Sequence, residues 1–254
     1  MKYANFTRAH MRFIKYVYLF PKKMSKTIIS RILIFFDIKW HSYCAPISMK
    51  NISINILKPE TKVVVFDLDG TLYCKKGMIT RMMAGAVLEW KMMLLERKTR
   101  KKLKGSWVGD KESFYRVYFQ QMAKGRLFSV EYAQWWYNTR YMPMMVKVIK
   151  RYYQPSPWVI PFIQQCKSLG IRLVVLSDYT HTKEKIQALG LDDSLFDWII
   201  SAPELGGLKP APELMRHVAA QMGVLPNQCL IIGDREDTDG ELAKLVNAPF
   251  YLVK

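Results

Sequence analysis

Short unbroken apolar runs alternate along the chain with longer stretches of mixed polarity. Residues 63–66, VVVF, run straight into Asp-Leu-Asp-Gly, which predicts a buried strand ending in a tight loop. Ile171 to Leu176 predicts a second strand, following a helix that Ser156 caps, Pro157 opens and Gly170 closes. Three further runs, Trp198 to Ser201, Leu230 to Gly233 and Phe250 to Val253, are each separated from the one before by a stretch suited to a helix. Strands that alternate with helices predict a parallel sheet covered on both faces.

About a hundred residues lie between the first strand and the second, far more than one crossover helix needs. Within them, Met78 to Tyr153 is rich in Met, Trp, Tyr, Lys and Arg and is broken by Gly85, Gly105, Gly109 and Gly125. This predicts an inserted module of helices, with Trp135 and Trp136 in its core. Upstream, Lys26 to Ile38 segregates Lys26, Thr27, Ser30, Arg31 and Asp37 from Ile28, Ile29, Ile32, Leu33, Phe35 and Phe36, as an amphipathic helix does. Ile52, Ile54 and Ile56 alternate with polar residues, as in a half-buried strand. The expected organisation is a basic N-terminal extension over 1–61, a core built from 62–73 and 156–254, and a helical insert over 74–155.

Charge sharpens that division. The formal net charge is +18, and it is unevenly spread. Residues 1–62 carry twelve Lys/Arg against two acids and 74–155 carry eighteen against five, whereas 156–254 carries nine against twelve. One part of the chain is suited to meet anions and the acidic part to hold a cation. Cys44, Cys74, Cys166 and Cys229 lie far apart with no CxxC pair, so the thiols are expected to be reduced, as in the cytoplasm. The longest apolar run, Ile32 to Phe36, falls well short of the roughly 20 residues of a membrane-spanning helix. His10, His41, His181 and His217 form no spaced pair, and His181 is expected to start a helix.

Open parallel sheets bind ligands at the carboxyl ends of their strands. Polar residues gather at four such ends: Asp67 and Asp69, Ser177 and Asp178, Glu204 and Lys209, and Asp234 with Asp239. In order, VVVFDLDGTLY, VVLSD, GLKPAPEL and IIGDREDTDG resemble the four signature motifs of haloacid dehalogenase (HAD) superfamily phosphatases. The resemblance covers 63–73 and 171–254 and reaches the insert only by position, where that superfamily commonly carries a helical cap. It implies a Rossmann-like, three-layer α/β/α core.

The resemblance also implies a chemistry. Asp67 would be the nucleophile that forms an aspartyl-phosphate, and Asp69 the general acid that then serves as base. Mg2+ would be held by the Asp67 carboxylate, the Asp69 carbonyl and Asp234, with Asp239 nearby and Asp237 as the competing second acid. Ser177, Asp178, Thr71, Gly70 and Lys209 would meet the phosphate, Lys209 also neutralising the phosphoaspartate. Asp69 argues against a dehalogenase, whose family lacks that acid, and against a transport ATPase, which carries Thr there. Phosphomutases keep that acid, and differ in that a second substrate hydroxyl, not water, accepts the phosphoryl group. The expected substrate is a small phosphorylated metabolite. The rival reading is a protein specialised for a polyanion, gripping an anionic membrane surface or nucleic acid through 1–62 and the basic insert, cytoplasmic but peripheral at a membrane.

Overall fold

The computed structural model describes residues 54–85, 89–124 and 128–253. The Lys26–Ile38 helix, and Ile52 of the expected upstream strand, lie outside them. Ile54–Ile56 forms a 3-10 turn and not the expected strand. Ile56 and Leu57 are packed against the hydrophobic core, so the alternation reflects a turn seated on its own protein.

Five parallel strands form one sheet in the order β3-β2-β1-β4-β5. They are β1 Val63–Phe66, β2 Arg172–Ser177, β3 Trp198–Ser201, β4 Cys229–Gly233 and β5 Phe250–Leu252. β1 sits in the middle, with Val63 opposite Arg172 on one side and Cys229 on the other. Side chains alternate across the pleat, so each strand feeds two cores. Val64, Phe66, Leu173, Val175 and Ile232 pack on one face, and Val63, Val65, Val174, Leu176 and Ile231 on the other. This double burial is why the strands read as continuous apolar runs.

The first face is covered by helix α6, Val159–Ser168, and by α7, Thr182–Ala188. The second is covered by α8, Pro212–Gln221, and α9, Glu241–Leu245. Ser156 does not cap α6 with its side chain: its hydroxyl is buried and has no hydrogen-bond partner. Its backbone does the work instead, the N–H donating to Leu72 O at 2.8 Å and the carbonyl accepting from Val159 N at 3.0 Å. His181 stands at the start of α7 in the left-handed region, with φ of 56°.

The segment between β1 and α6 is helical. It comprises α1 Met78–Gly85, α2 Trp90–Lys102, α3 Lys111–Ala123, α4 Val130–Trp136, a π-helical turn Tyr137–Tyr141, and α5 Met142–Tyr152. Asp110 and Ser129 cap α3 and α4 by accepting from the N–H groups of Ser113 and Tyr132. Its interior holds Phe114, Tyr118, Phe119, Met122, Trp136 and Met142, all buried, with Trp135 half-buried against them. No helix among the described residues is long and apolar enough to cross a membrane.

Candidate active site

β1 ends at Phe66, and the pleat then turns Asp67 to the carboxyl edge, where its N–H is still tied to Ile232 O at 2.8 Å. The Asp67 carboxylate is held on both oxygens. Lys209 Nζ donates to Oδ1 at 2.6 Å and Thr71 Oγ1 donates to Oδ2 at 3.1 Å. Lys209 is buried and also donates to Asp239 Oδ1 at 2.6 Å and to Leu176 O at 3.2 Å, while its backbone N–H reaches Asp178 Oδ1 at 3.0 Å. Burial pushes the Asp67 carboxyl above its ordinary value, the Lys209 ammonium opposing this and the Asp239 and Asp69 charges adding to it. Burial alone would lower Lys209, but Asp239, Asp67 and Asp178 together lift it well above the usual lysine value.

Asp69 is fixed differently. Its Oδ1 accepts from Tyr73 Oη at 2.6 Å, and its Oδ2 from Lys185 Nζ at 2.7 Å and Ser177 Oγ at 3.2 Å. Burial pushes its carboxyl up, but the Lys185 charge and hydrogen bond, with Tyr73, outweigh this and leave it below the usual carboxylate range. Lys185 and Tyr73 were not singled out from the sequence. Lys185 is one of two lysines in the α7 stretch TKEKIQA, and nothing in the spacing says that it is fully buried.

At the end of β4, Asp234 meets Lys75, whose Nζ lies 2.6 Å from Asp234 Oδ2 and 2.7 Å from Asp69 O. Carboxylate oxygens of Asp67, Asp234 and Asp239 lie within 4.8 Å of one another. Asp237 is not in that group; it is exposed and pairs with Arg235 and Lys104. Burial, and the Asp67 charge after it, push the Asp234 carboxyl up against the opposing Lys75. Gly70, at φ of +109°, allows this crowding, since a Cβ there would fall 2.4 Å from Asp234 Oδ2. Ser177 closes β2, fully buried, with its Oγ accepting from Tyr179 N at 3.1 Å.

The structure thus draws Asp67, Asp69, Thr71, Ser177, Asp178, Lys209, Asp234 and Asp239 to one edge of the sheet, while Glu204 closes a capping box on Ser201. The haloacid dehalogenase-like hydrolase family matches residues 61–247, which take in every one of these groups. The chain belongs to that family. Among curated relatives, a glyceraldehyde 3-phosphate phosphatase of Methanocaldococcus jannaschii is 27% identical over 198 residues, covering 72% of this chain and 80% of that protein. A phosphoglycolate phosphatase of Neisseria gonorrhoeae is 28% identical over 184 residues, 71% of this chain and 75% of the relative. Some other curated relatives match over shorter stretches, and the chain spans only 8% of one and 38% of another. A solved HAD phosphatase from Thermococcus onnurineus shares the fold with a TM-score of 0.52 at 16% identity, covering 76% of this chain and 86% of that one.

In this member of the family the insert touches the loops that leave β2, β3 and β4. Val108 N donates to Gly206 O at 2.8 Å, Leu208 N to Ser106 O at 3.0 Å, and Gly105 N to Lys209 O at 3.2 Å. Lys104 pairs with Asp237, and Arg100 Nη1 donates to Asp178 O at 2.5 Å. A cleft of about 540 Å³ opens between the insert and the start of α7, lined by Tyr115, Gln134, Asn138, Thr180, His181 and Lys183 among others.

Proposed function

We propose that the chain is a Mg2+-dependent phosphomonoester hydrolase acting on a small phosphorylated metabolite through a phosphorylated Asp67. The observation that carries this is the pair of carboxylates two residues apart, with Asp67 braced by a buried lysine and Asp69 held beside it by three donors. An Asp67 oxygen forms a bond to phosphorus as the ester bond breaks, and Asp69, which must first take up a proton against the pull of Lys185 as the negative phosphate arrives beside it, gives that proton to the departing oxygen. Asp69 then takes a proton from water, whose oxygen attacks phosphorus and frees the Asp67 carboxylate with inorganic phosphate. Ser177 and the amides of the turn after it, with Thr71 and Gly70, are suited to hold the phosphoryl oxygens, and Lys209 to offset their charge. Asp178 would contribute through its backbone, its carboxylate being engaged by Lys209 N.

The donor set fits a hard cation. Asp67, Asp234 and Asp239 offer only oxygen, and the Asp69 carbonyl and Asp234 Oδ2 already converge on one positive centre, the Lys75 ammonium. Mg2+ bound by Asp67, Asp69 O and Asp234, with Asp239 nearby, supplies positive charge that lowers the repulsion between carboxylate and phosphate. Asp234→Ala is expected to raise the Mg2+ concentration needed for half-maximal rate by on the order of 10-fold or more. A titration curve matching the wild type would remove Asp234 from the metal site.

The insert over 74–155 is proposed to be a cap that sets substrate choice, on the strength of its contacts with three of the loops at the carboxyl edge. Lys91, Arg97, Lys98, Lys101 and Lys102 are exposed along α2, which favours a role in attracting phosphate esters. The helix on which the membrane reading leans lies outside the described residues. The relatives direct a first panel toward two- and three-carbon phosphates such as phosphoglycolate and glyceraldehyde 3-phosphate. Inorganic phosphate should be released from at least one small monoester with Mg2+ and from none with chelator. An isomerised ester without free phosphate would identify a mutase, and no reaction on any ester would refute the proposal.

A further inference from the structure

Lys185 is fully buried, lies in none of the four motifs, and takes no part in the proposed chemistry beyond donating to Asp69. A buried ammonium is costly unless paired. Its hydrogen-bonded partner is Asp69 Oδ2, and its other notable neighbour is the face of Tyr179, 4.6 Å from nitrogen to ring centroid. The same ring carries the guanidinium of Arg100 at 3.8 Å. One aromatic side chain therefore meets a cation from the insert and a cation that grips the proposed acid–base group.

Arg100 is fixed on the insert side with unusual completeness. Its Nε and Nη2 both donate to Glu96 Oε1, at 3.0 and 2.5 Å, one helical turn back along α2. Glu96, itself buried, is completed by Tyr118 Oη from α3 at 2.8 Å and Tyr141 Oη from the π-helical turn at 3.1 Å. A salt bridge meant only to hold the insert together would need nothing more. Yet the remaining guanidinium nitrogen, Nη1, donates to the backbone of Asp178, and the guanidinium lies against Tyr179. That dipeptide follows Ser177 directly. Its Tyr179 N–H donates to Ser177 Oγ, and its Asp178 carboxylate holds the backbone of Lys209.

We propose that Arg100 is a positioning residue for Asp69, acting through Tyr179 and Lys185. The inference rests on the acid–base role proposed for Asp69. Three elements of the insert converge on Arg100, Arg100 sets the Asp178–Tyr179 loop, the Tyr179 ring confines Lys185, and Lys185 orients the Asp69 carboxylate. Tyr73 fixes the other Asp69 oxygen from the chain leading into the insert. The seating of the insert is thereby read at the group that must place a proton on the leaving oxygen. A misplacement of about 1 Å at such a group costs on the order of 10²-fold in rate.

The test compares substrates that differ in how much they need that proton. Phosphoenzyme formation is measured in single turnovers of the full chain with Mg2+, so that the later attack by water, common to all substrates, does not mask it. One substrate is p-nitrophenyl phosphate, whose leaving group departs readily unprotonated; the other is an alkyl phosphate that the enzyme accepts. Arg100→Lys keeps the charge but loses the planar fork. It is expected to slow the alkyl ester by on the order of 30-fold and the aryl ester by under about threefold, with KM for both within about threefold. Asp69→Asn must show the same bias toward the alkyl ester; if it does not, the acid role fails and not the positioning inference. With that control in place, equal losses on both esters, or no loss on either, would overturn the role of Arg100. Should Arg100→Lys lower the melting temperature too far to assay, Tyr179→Leu preserves apolar bulk while removing the ring, and the same biased loss is required of it.

Discussion

Asp67→Asn is expected to lose turnover by on the order of 10⁴-fold or more while keeping its fold. The amide has the shape of the carboxylate, and its oxygen can still accept from Lys209, which retains Asp239 and Leu176 O as partners. Removing one of several crowded negative charges also relieves repulsion, since the Asp239 and Asp69 charges both push the Asp67 carboxyl up. Stability should therefore change by no more than about 1–2 kcal/mol. What is lost is the proposed nucleophile, because an amide oxygen does not form an acyl-phosphate under these conditions. Acid-quenched wild-type enzyme given a labelled phosphate ester should retain label on the protein, and the variant should not. A variant that turns over at a tenth of the wild-type rate, with its mass verified against deamidation, would transfer the nucleophile's role elsewhere.

Lys209→Met is expected to damage both stability and rate. The ammonium stands 2.6 Å from carboxylate oxygens of Asp67 and Asp239 alike, and all three side chains are buried. Removing one partner of a buried ion pair leaves uncompensated charge, at a cost on the order of 3–5 kcal/mol. Here two carboxylates are left facing each other, so the cost should fall when Mg2+ is added. The sign of the pH effect follows from the Asp67 shift. Its folded value lies above its unfolded one, and losing Lys209, which opposes that rise, lifts it further. A carboxyl raised by folding destabilises the protein above its folded pKa, and the penalty is relieved as pH falls through that value. The variant should therefore regain ground against the wild type as the pH is lowered from 7, in urea denaturation without metal. Turnover should drop by on the order of 10²–10³-fold, since the charge that offsets the phosphoryl group is gone. Wild-type stability at pH 7 without Mg2+ would contradict the buried-pair account.

The strands could be read from the chain because β1, β2 and β4 are buried on both faces, and such strands write themselves as unbroken apolar runs. Asp67, Ser177 and Asp234 were legible for a related reason: each ends or directly follows one of those runs, where an open parallel sheet places its ligands. Ile54 and Ile56 misled because three residues with alternating polarity fit a turn as well as a strand. Ser156 misled because its backbone had been recruited to start α6, leaving its hydroxyl idle. Lys75, Lys185 and Arg100 could not be found at all. Each acts across a long sequence separation, from Lys185 to Asp69 and from Arg100 to Asp178, and a buried lysine on a helix is spelled like a solvated one.

The central place of β1 has a consequence for how the protein comes to exist. Val63 to Phe66 pairs with no strand that precedes it: its neighbours are Arg172 to Val175 and Cys229 to Ile232, both downstream. At roughly 5–20 residues per second, the ribosome makes β1 on the order of ten seconds before β4. Until β2 is made on one side, and β4 on the other, a four-residue run of Val, Val, Val and Phe waits with amides unpaired, the kind of segment that invites association with other chains. Asp67 and Asp69 emerge well before Lys209, Asp234 and Asp239, the groups that surround Asp67 in the folded site. A nascent chain arrested before β4 would carry Asp67 and Asp69 without Asp234 and Asp239, so on the proposed mechanism the activity waits until the sheet has closed around β1.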